Sequence, residues 1–240
     1  MASAASTTSQ YRIVRIPPDS PRLVDLVAKF RDTKLAALEA EPGGFAVKHA
    51  DEILHSIEIW QRRLAPPSNV FICVVAPESA AATDDERALI LGDWVGMATI
   101  RGPLPYSTYH IPASGQPIPE DPDRETRWHL CNLYTSSAHR GQGLAKTLVH
   151  ACVDFAAQQT RTDEKARARI RLFFNPAKTF LMVMYKALGF QEAGMITLKE
   201  AFVANGDEEL IPEDTRSSDE LWWLWERRYG MAMERVVDVV

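Results

Sequence analysis

Several features that would assign the 240-residue chain to a special class of protein are scarce or missing. It has three cysteines, Cys73, Cys131 and Cys152, and their wide spacing excludes a Cys-x-x-Cys metal or redox pair. Such scattered cysteines are typical of a reducing compartment. No run of about 20 apolar residues suits a membrane-spanning helix, and the Ser- and Ala-rich start does not resemble a signal peptide. We therefore expect a cytoplasmic protein without membrane association.

Basic tracts and metal-ligand spacings are also missing. The 27 basic and 32 acidic residues give a net charge of −5, which makes a nucleic acid an improbable partner. His49 and His55 are six residues apart, and no His-x-x-x-His pair or Cys/His cluster occurs, so we predict no metal site. The two cysteines in apolar runs, Cys73 and Cys131, are predicted to be small core residues.

What the chain does contain is a regular alternation of strand and helix patterns. Period-two alternation or short apolar runs predict strands, and apolar residues at helical spacing predict helices. The predicted strands are 11–16, 70–76, 94–101, 128–135, 168–174, a strand from Phe190, and 220–228. The predicted helices are 23–38, 49–64, 143–159 and 178–188. Three connections are predicted as loops: 78–87, 102–127, which holds six prolines, and the acidic segment 205–219.

This order of elements predicts one α/β domain. The strand–helix–strand unit over 128–174 needs a crossover, which makes its two strands parallel, whereas the meander before it is antiparallel. A mixed sheet with helices on both faces follows. We predict a disordered tail at 1–10, a single domain at 11–230 and a C-terminal tail at 231–240.

A glycine-rich turn stands between the strand 128–135 and the helix that follows. Small residues let the backbone approach a ligand closely, and the amide groups and dipole of a helix start attract an anion. The turn therefore predicts a phosphate-bearing cofactor, although small residues there can also serve helix packing alone. A Rossmann fingerprint needs a third glycine where Lys146 stands, and the P-loop spacing is absent.

The residues of this turn resemble the GNAT superfamily of N-acetyltransferases. Arg140-Gly141-Gln142-Gly143-Leu144-Ala145 is similar to the family's Arg/Gln-x-x-Gly-x-Gly/Ala signature, and Tyr185-Lys186-Ala187-Leu188-Gly189-Phe190 is similar to its Tyr-x-x-x-Gly-Phe motif. Leu35 to Leu38, followed by Glu41-Pro42 and Phe45, resembles a first-helix pattern of the family, and Asp219 to Arg228 resembles its last strand. The likeness extends over about 11–228.

The resemblance implies a single-domain GNAT-like fold with a mixed, mostly antiparallel sheet and a splayed parallel strand pair. It implies acetyl-CoA as co-substrate, with its pantetheine arm in the gap between the splayed strands and its pyrophosphate on the turn. Lys178 stands where many members carry Asn, so its contact is with a phosphate or with solvent. The implied cofactor-binding residues are Leu133, Tyr134, Thr135, Arg140, Gly141, Gln142, Gly143, Leu144, Ala145, Lys146 and Lys178.

The same resemblance implies direct transfer, without a covalent enzyme intermediate. Tyr185 is the predicted acid for the departing thiolate, with a packed helix-end aromatic as the alternative. His129 is the predicted base, because it lies six residues before Thr135 and two-residue alternation would place both on one side of the strand. A water chain or a carboxylate from 120–125 is the rival base.

The predicted reaction is acetyl transfer to a primary amine, and the long loop 102–127 would cap a small-molecule acceptor. A protein or peptide N-acetyltransferase and a catalytically idle acyl-CoA-binding module are the alternatives, with a nucleotide-binding protein as a third. Trp222, Trp223 and Trp225 would line an aromatic acceptor pocket or pack in the core. The sequence allows a monomer or a homodimer.

Overall fold

A seven-stranded sheet forms the centre of the molecule in the computed structural model, which describes residues 11–75 and 84–239. The strand order is β1-β2-β3-β4-β5-β7-β6, with β4 and β5 parallel and the other neighbours antiparallel. The strands are β1 (Tyr11–Arg15), β2 (Ser68–Val75), β3 (Asp93–Arg101), β4 (Glu125–Thr135), β5 (Arg167–Phe174), β6 (Gln191–Thr197) and β7 (Tyr229–Asp238). The mixed α/β sheet predicted from the sequence is confirmed.

Helices cover both faces of this sheet. They are α1 (Leu23–Ala40), α2 (His49–Glu52), α3 (Ile57–Leu64), α4 (Asp85–Leu91), α5 (Tyr106–Tyr109), α6 (Leu144–Thr162), α7 (Thr179–Ala187), α8 (Leu198–Asn205) and α9 (Asp219–Trp222). Helix α6 packs on one face, and α1 and α3 pack on the other. No helix in the described ranges is long and apolar enough to cross a membrane.

The crossover from β4 through α6 to β5 follows from the sequence pattern. Leu148, Cys152 and Ala156 recur at intervals of four residues, and all three are fully buried against the sheet. On the opposite face, Leu26 and Phe30 of α1 pack with Trp60 of α3, and the Phe30 and Trp60 rings meet edge to face at 6.0 Å. Each face of the sheet therefore has its own apolar core.

The helix predicted over 49–64 is divided into α2 and α3. Ser56 has an extended backbone at the start of α3, and serine favours helix starts over helix interiors. The break brings Glu52 to Arg63, whose guanidinium pairs with the buried carboxylate. In one continuous helix these residues would stand about 16 Å apart along the axis. A buried ion pair thus accompanies the division of the helix.

The last strand lies later in the chain than predicted. Over 219–227 the chain forms α9 and a π-helical turn, with the Ser218 hydroxyl accepting from the amide of Leu221 at 3.2 Å. This cap starts a helix despite the strand propensity of the three tryptophans. Residues of the predicted tail 231–240 instead belong to β7, which pairs with both β5 and β6. The strand predicted at 220–228 is therefore wrong.

The predicted loops contain more structure than expected. Segment 102–127 includes α5, two 3-10 turns and the start of β4, and it packs beside β6 and β7, where Tyr109 donates to Glu234 Oε1 at 2.7 Å. Helix α4 occupies the end of the loop predicted at 78–87, whose first part lies outside the described residues, as does the predicted tail 1–10. Helix α8 follows β6 directly and begins with a capping box formed by Thr197 and Glu200.

Candidate active site

The parallel strands β4 and β5 separate at their carboxyl ends. Their paired positions end at Leu130 and Leu172, yet β4 continues to Thr135. Strand β5 remains paired with β7 as far as Phe174. Among the described residues, no strand pairs with the β5-facing edge of β4 beyond Leu130. The result is a wedge-shaped gap with exposed backbone donors and acceptors along one side.

The turn that follows β4 has the backbone geometry that its glycines allow. Gly141 and Gly143 have φ angles of 80° and 77°, in the left-handed region that glycine enters without steric cost. A Cβ atom at either position would meet nothing within 4 Å. Gly143 caps α6, and no side chain of the described residues caps that helix start. The turn is thus an open cradle at a positive helix end, which suits a phosphate group.

The other residues of the turn differ in how far their side chains are exposed to solvent. Gln142 and Lys146 are exposed, while the Leu144 side chain is buried in the core, so that only its backbone can contact a ligand. Arg140 reaches away from the glycines. Its Nε donates to the Thr135 carbonyl at 3.2 Å and its Nη2 to Glu41 Oε1 at 2.7 Å. Arg140 therefore ties the end of β4 to the end of α1.

A cavity of about 410 Å³ opens into the gap between β4 and β5. Segment 42–48 after α1 forms one wall, the ends of β4 and β5 with α7 form another, and β6, α8 and the start of β7 complete it. Of the predicted site residues, Leu133, Lys178 and Tyr185 line this cavity. Tyr134, Thr135 and the turn 140–146 do not line it but follow Leu133 along the chain. Lys178 Nζ donates to the Gly43 carbonyl on the facing wall.

Tyr185 stands at the cavity wall on α7. Its ring is packed by Phe174 at 5.7 Å and by Phe190 at 5.8 Å, and the side chain is buried. Burial raises the pKa of the Tyr185 hydroxyl above its ordinary value, because the phenolate loses solvation. The group is consequently a proton donor at neutral pH and remains one in mildly alkaline solution. Both the predicted acid role and the packed-aromatic alternative fit this position.

The predicted base, His129, does not line the cavity. Asn132 has a φ of 54°, and Asn132 with Leu133 stands opposite Ala98 alone, which is a β-bulge. The extra residue inverts the alternation, so that His129 and Thr135 point to opposite faces of the sheet. The assumption behind the prediction, that these two residues share one face, is therefore wrong.

His129 is fully buried behind the cavity wall. Its Nε2 lies 2.9 Å from Asn205 Oδ1, and its ring lies 4.8 Å from that of Phe173. Burial, with the nearby positive charge of Arg171, holds the pKa of His129 well below its usual range. The imidazole is thus neutral, and a proton from the cavity would have to pass Asn205 to reach it.

Several residues that line the cavity were not predicted to belong to the site. Cys131, predicted to be a core residue, is half-buried and lines the cavity, and burial raises the pKa of its thiol to about 11. Asn205 and Asp207 line the cavity from α8 and the segment after it. Their position within an acidic segment was the only signal for them, because only folding brings that segment to β4.

A buried ion network lies next to the cavity. Arg63 bonds Glu52 and also Asp207 Oδ1, the latter at 2.9 Å, while Glu209 lies 3.6 Å away. Lys34 donates to Asn132 Oδ1 at the bulge, and its Nζ lies 4.7 Å from the centre of the Phe45 ring. Burial lowers the pKa of Lys34 from its ordinary value. These charges link α1, α2 and α3 to the cavity wall.

A splayed parallel strand pair, followed by an open glycine turn at a helix start, is an arrangement that fits an extended ligand ending in a phosphate group. The family model described as the Acetyltransferase (GNAT) family matches residues 58–190, which is more than half of the chain. The protein belongs to this family.

Sequence relatives are similar over a shorter range. N-acetyltransferase 8F1 from Rattus norvegicus is 35% identical over 78 residues, 32% of this chain and 33% of that protein. N-acetyltransferase 8 from Homo sapiens is 31% identical over 78 residues, 32% of each chain. The match thus spans about a third of the length of these curated relatives.

Solved structures share the fold at low sequence identity. An acetyltransferase of the GNAT family from Streptococcus pneumoniae has a TM-score of 0.52 and 11% identity, with 95% of this chain and 99% of that chain covered. NAA60 from Arabidopsis thaliana, solved in complex with a bisubstrate analogue, has a TM-score of 0.50 and 12% identity, covering 95% and 100%. These likenesses establish the architecture.

Proposed function

We propose that the protein is an acetyl-CoA-dependent N-acetyltransferase that transfers the acetyl group directly to the primary amine of a small molecule. One observation carries this proposal: the unpaired edge of β4 beyond Leu130 leads directly to the open turn at Gly141 and Gly143. An extended arm that ends in a pyrophosphate fits these two features. The arm needs partners for backbone pairing, which the edge of β4 offers, and the pyrophosphate needs amide donors at a positive helix end, which the turn offers.

The residues fit the donor substrate in separate ways. Backbone groups of 133–135 are available for strand-like pairing with an amide-containing arm. The amides of the turn 140–146 and the α6 dipole would hold the pyrophosphate, and the exposed Lys146 would add a positive charge. Acetyl-CoA, when bound, would supply the thioester carbonyl that the acceptor amine attacks.

The chain itself would supply positioning and protons. Holding the amine and the thioester side by side in one cavity removes much of the entropic barrier to a two-substrate reaction. A backbone amide on the open edge of β4 can stabilise negative charge on the carbonyl oxygen. Tyr185, kept protonated by burial, is the donor for the departing sulfur.

The shape of the cavity supports a small acceptor, although for a different reason than the sequence suggested. Segment 102–127 does not line the cavity, so the predicted cap is absent from it. Instead, segment 42–48 and the chain from β6 to β7 confine a space of about 410 Å³, which lies within the range of small-molecule sites. That space must also admit the end of the pantetheine arm.

Calorimetric titration with acetyl-CoA, with ATP and NAD as controls, tests donor binding. We expect acetyl-CoA alone to bind. A thiol-release assay with a panel of small amines and short peptides then tests turnover, with release expected for small amines. Binding without release for any acceptor would indicate an idle acyl-CoA-binding module, and release with peptides only would make the acceptor a protein. Failure to bind acetyl-CoA would overturn the proposal.

A further inference from the structure

The charged groups that line the cavity are unevenly distributed. Lys48, Lys178 and Arg228 contribute positive charge, and Asp207 is the one carboxylate among the described lining residues. Lys48 and Arg228 are exposed, so water and salt screen their fields. Asp207 is only 7% exposed, and a charge in such a position acts through a lower effective dielectric. Asp207 is therefore the one described lining residue that presents a buried carboxylate to the cavity.

One half of this carboxylate has no protein partner among the described residues. Arg63 occupies Oδ1, whereas Oδ2 accepts no hydrogen bond from the described chain. The Asp207 backbone is fixed as well, since its amide donates to the Phe202 carbonyl at 2.9 Å. Oδ2 is not one of the fully buried unpartnered atoms of the described chain, so it is open to the cavity and can accept a hydrogen bond from a ligand.

Asp207 belongs to a buried charged network. The groups that face it are Arg63 and Lys34 on the positive side, with Glu52 and Glu209 as further negative charges, and the guanidinium of Arg101 lies against the neighbouring Gly206. Burial raises the pKa of Asp207 above its ordinary value, and the pairing with Arg63 opposes that shift. A cation bound at the free side of the carboxylate would oppose it further.

Asp207 is also close to the reacting end of the gap. Its charge contributes to raising the pKa of Cys131, which precedes the bulge where β4 leaves β5. Cys131, Asn132 and Asp207 all line the cavity. A group bound to Asp207 would consequently lie in the cavity into which the unpaired edge of β4 opens.

We propose that Asp207 binds the ammonium group of the acceptor, so that the acceptor is an aliphatic primary amine, protonated in solution, in preference to an uncharged arylamine. This inference rests on the proposed function. Before attack, the ammonium would lose one proton, to Asp207 or to water, and the neutral nitrogen would form the C–N bond as the C–S bond breaks. The nitrogen's second proton passes to water during transfer, the thiolate takes a proton from Tyr185, and Tyr185 regains one from water.

The test compares two acceptor classes in the same variants. In Asp207→Asn we expect kcat/KM for aliphatic amines to fall about 10- to 100-fold, because one charge-assisted contact is lost, while kcat/KM for arylamines changes less than about twofold. Since both acceptors are measured on one protein sample, a partly unfolded variant does not alter their ratio. Glu209→Gln is the matched control: Glu209 also faces Arg63 but does not line the cavity. It should leave the ratio unchanged.

A second measurement needs no variant. In the wild-type enzyme, an unreactive tertiary amine, which is protonated in neutral solution and carries one N–H, should compete with the aliphatic acceptor at least about tenfold better than its uncharged carbon analogue. Equal inhibition by the two compounds, or an equal loss for both acceptor classes in Asp207→Asn, would overturn the assignment. Calorimetry with acetyl-CoA separates this failure from failure of the proposed function, because Asp207→Asn should bind the donor as the wild type does.

Discussion

Gly143→Val places a branched side chain at the point where the donor's pyrophosphate is expected. The backbone there has a φ of 77°, which β-branched residues avoid, and strain of this kind costs about 1–3 kcal/mol of folding free energy. For a chain of this length, that corresponds to a decrease of roughly 2–12 °C in Tm. The side chain would project into open space, since no atom lies within 4 Å of a Cβ at this position. Folding therefore survives, while access to the turn amides is blocked.

Gly115 provides a matched control for the backbone strain. Its φ is 76°, a Cβ there also meets nothing within 4 Å, and it does not line the cavity. Gly115→Val and Gly143→Val should therefore lower Tm by similar amounts. Only Gly143→Val should weaken acetyl-CoA binding, by about 10- to 100-fold if one or two charge-assisted contacts are lost. Calorimetry and thermal unfolding on the same samples measure both effects.

One outcome of this comparison would contradict the prediction. If Gly143→Val binds acetyl-CoA as tightly as Gly115→Val does, the turn does not hold the phosphates. The open space above it would then be a consequence of helix packing alone, and the donor would have to be placed elsewhere in the cavity.

Further predictions concern Tyr185, His129 and Arg63. Tyr185→Phe should lower kcat by about 100-fold while changing the Kd of acetyl-CoA less than about twofold, and unchanged turnover would transfer the acid role to another group. Because burial raises the pKa of Tyr185 and the neutral phenol is the donor, kcat of the wild type should not decrease between about pH 8 and pH 10; a decrease there that is absent from Tyr185→Phe would contradict this. His129→Gln should lower kcat less than about tenfold, since Asn205 separates the ring from the cavity. A larger loss of kcat, together with loss of the acidic limb from the profile of kcat/KM against pH, would show that His129 is the base. Arg63→Ala should reduce the free energy of unfolding by about 3–5 kcal/mol in urea titrations by leaving buried carboxylates unpaired, whereas Arg62→Ala, at an exposed pair, should cost less than about 1 kcal/mol; equal effects would mean that the network adds no stability.

Local chemistry made much of the fold predictable. The spacing of apolar residues determines α1 and α6 because each helix has one core to cover, and the glycines at 141 and 143 mark a turn that other residues adopt only with strain. The parallel arrangement of β4 and β5 follows from the helix between them. Lys178 and Tyr185 were predicted to belong to the site from the likeness of 185–190 to the family's Tyr-x-x-x-Gly-Phe motif, and both line the cavity.

Features that depend on pairing between distant segments were not predictable. The bulge at Asn132 arises from the register of β4 against β3, and no residue pattern in β4 indicates it. Asp207 becomes a cavity residue because Arg63, 144 positions earlier in the chain, binds its carboxylate. Helix α9 was predicted as a strand because its tryptophans favour strands, although the serine that caps the helix was present in the sequence.

Strand β7 has a consequence for the order in which the molecule acquires its site. The gap exists because β5 stays paired with β7 while β4 stays paired with β3, so a strand that comes well after β5 in the sequence holds one side of the gap in place. During synthesis, β1 to β5 can pair as soon as they emerge, but β5 has no partner on its far side until residues 229–238 are added. A nascent chain therefore has no complete gap, and no capacity to bind a donor, until β7 has joined the sheet.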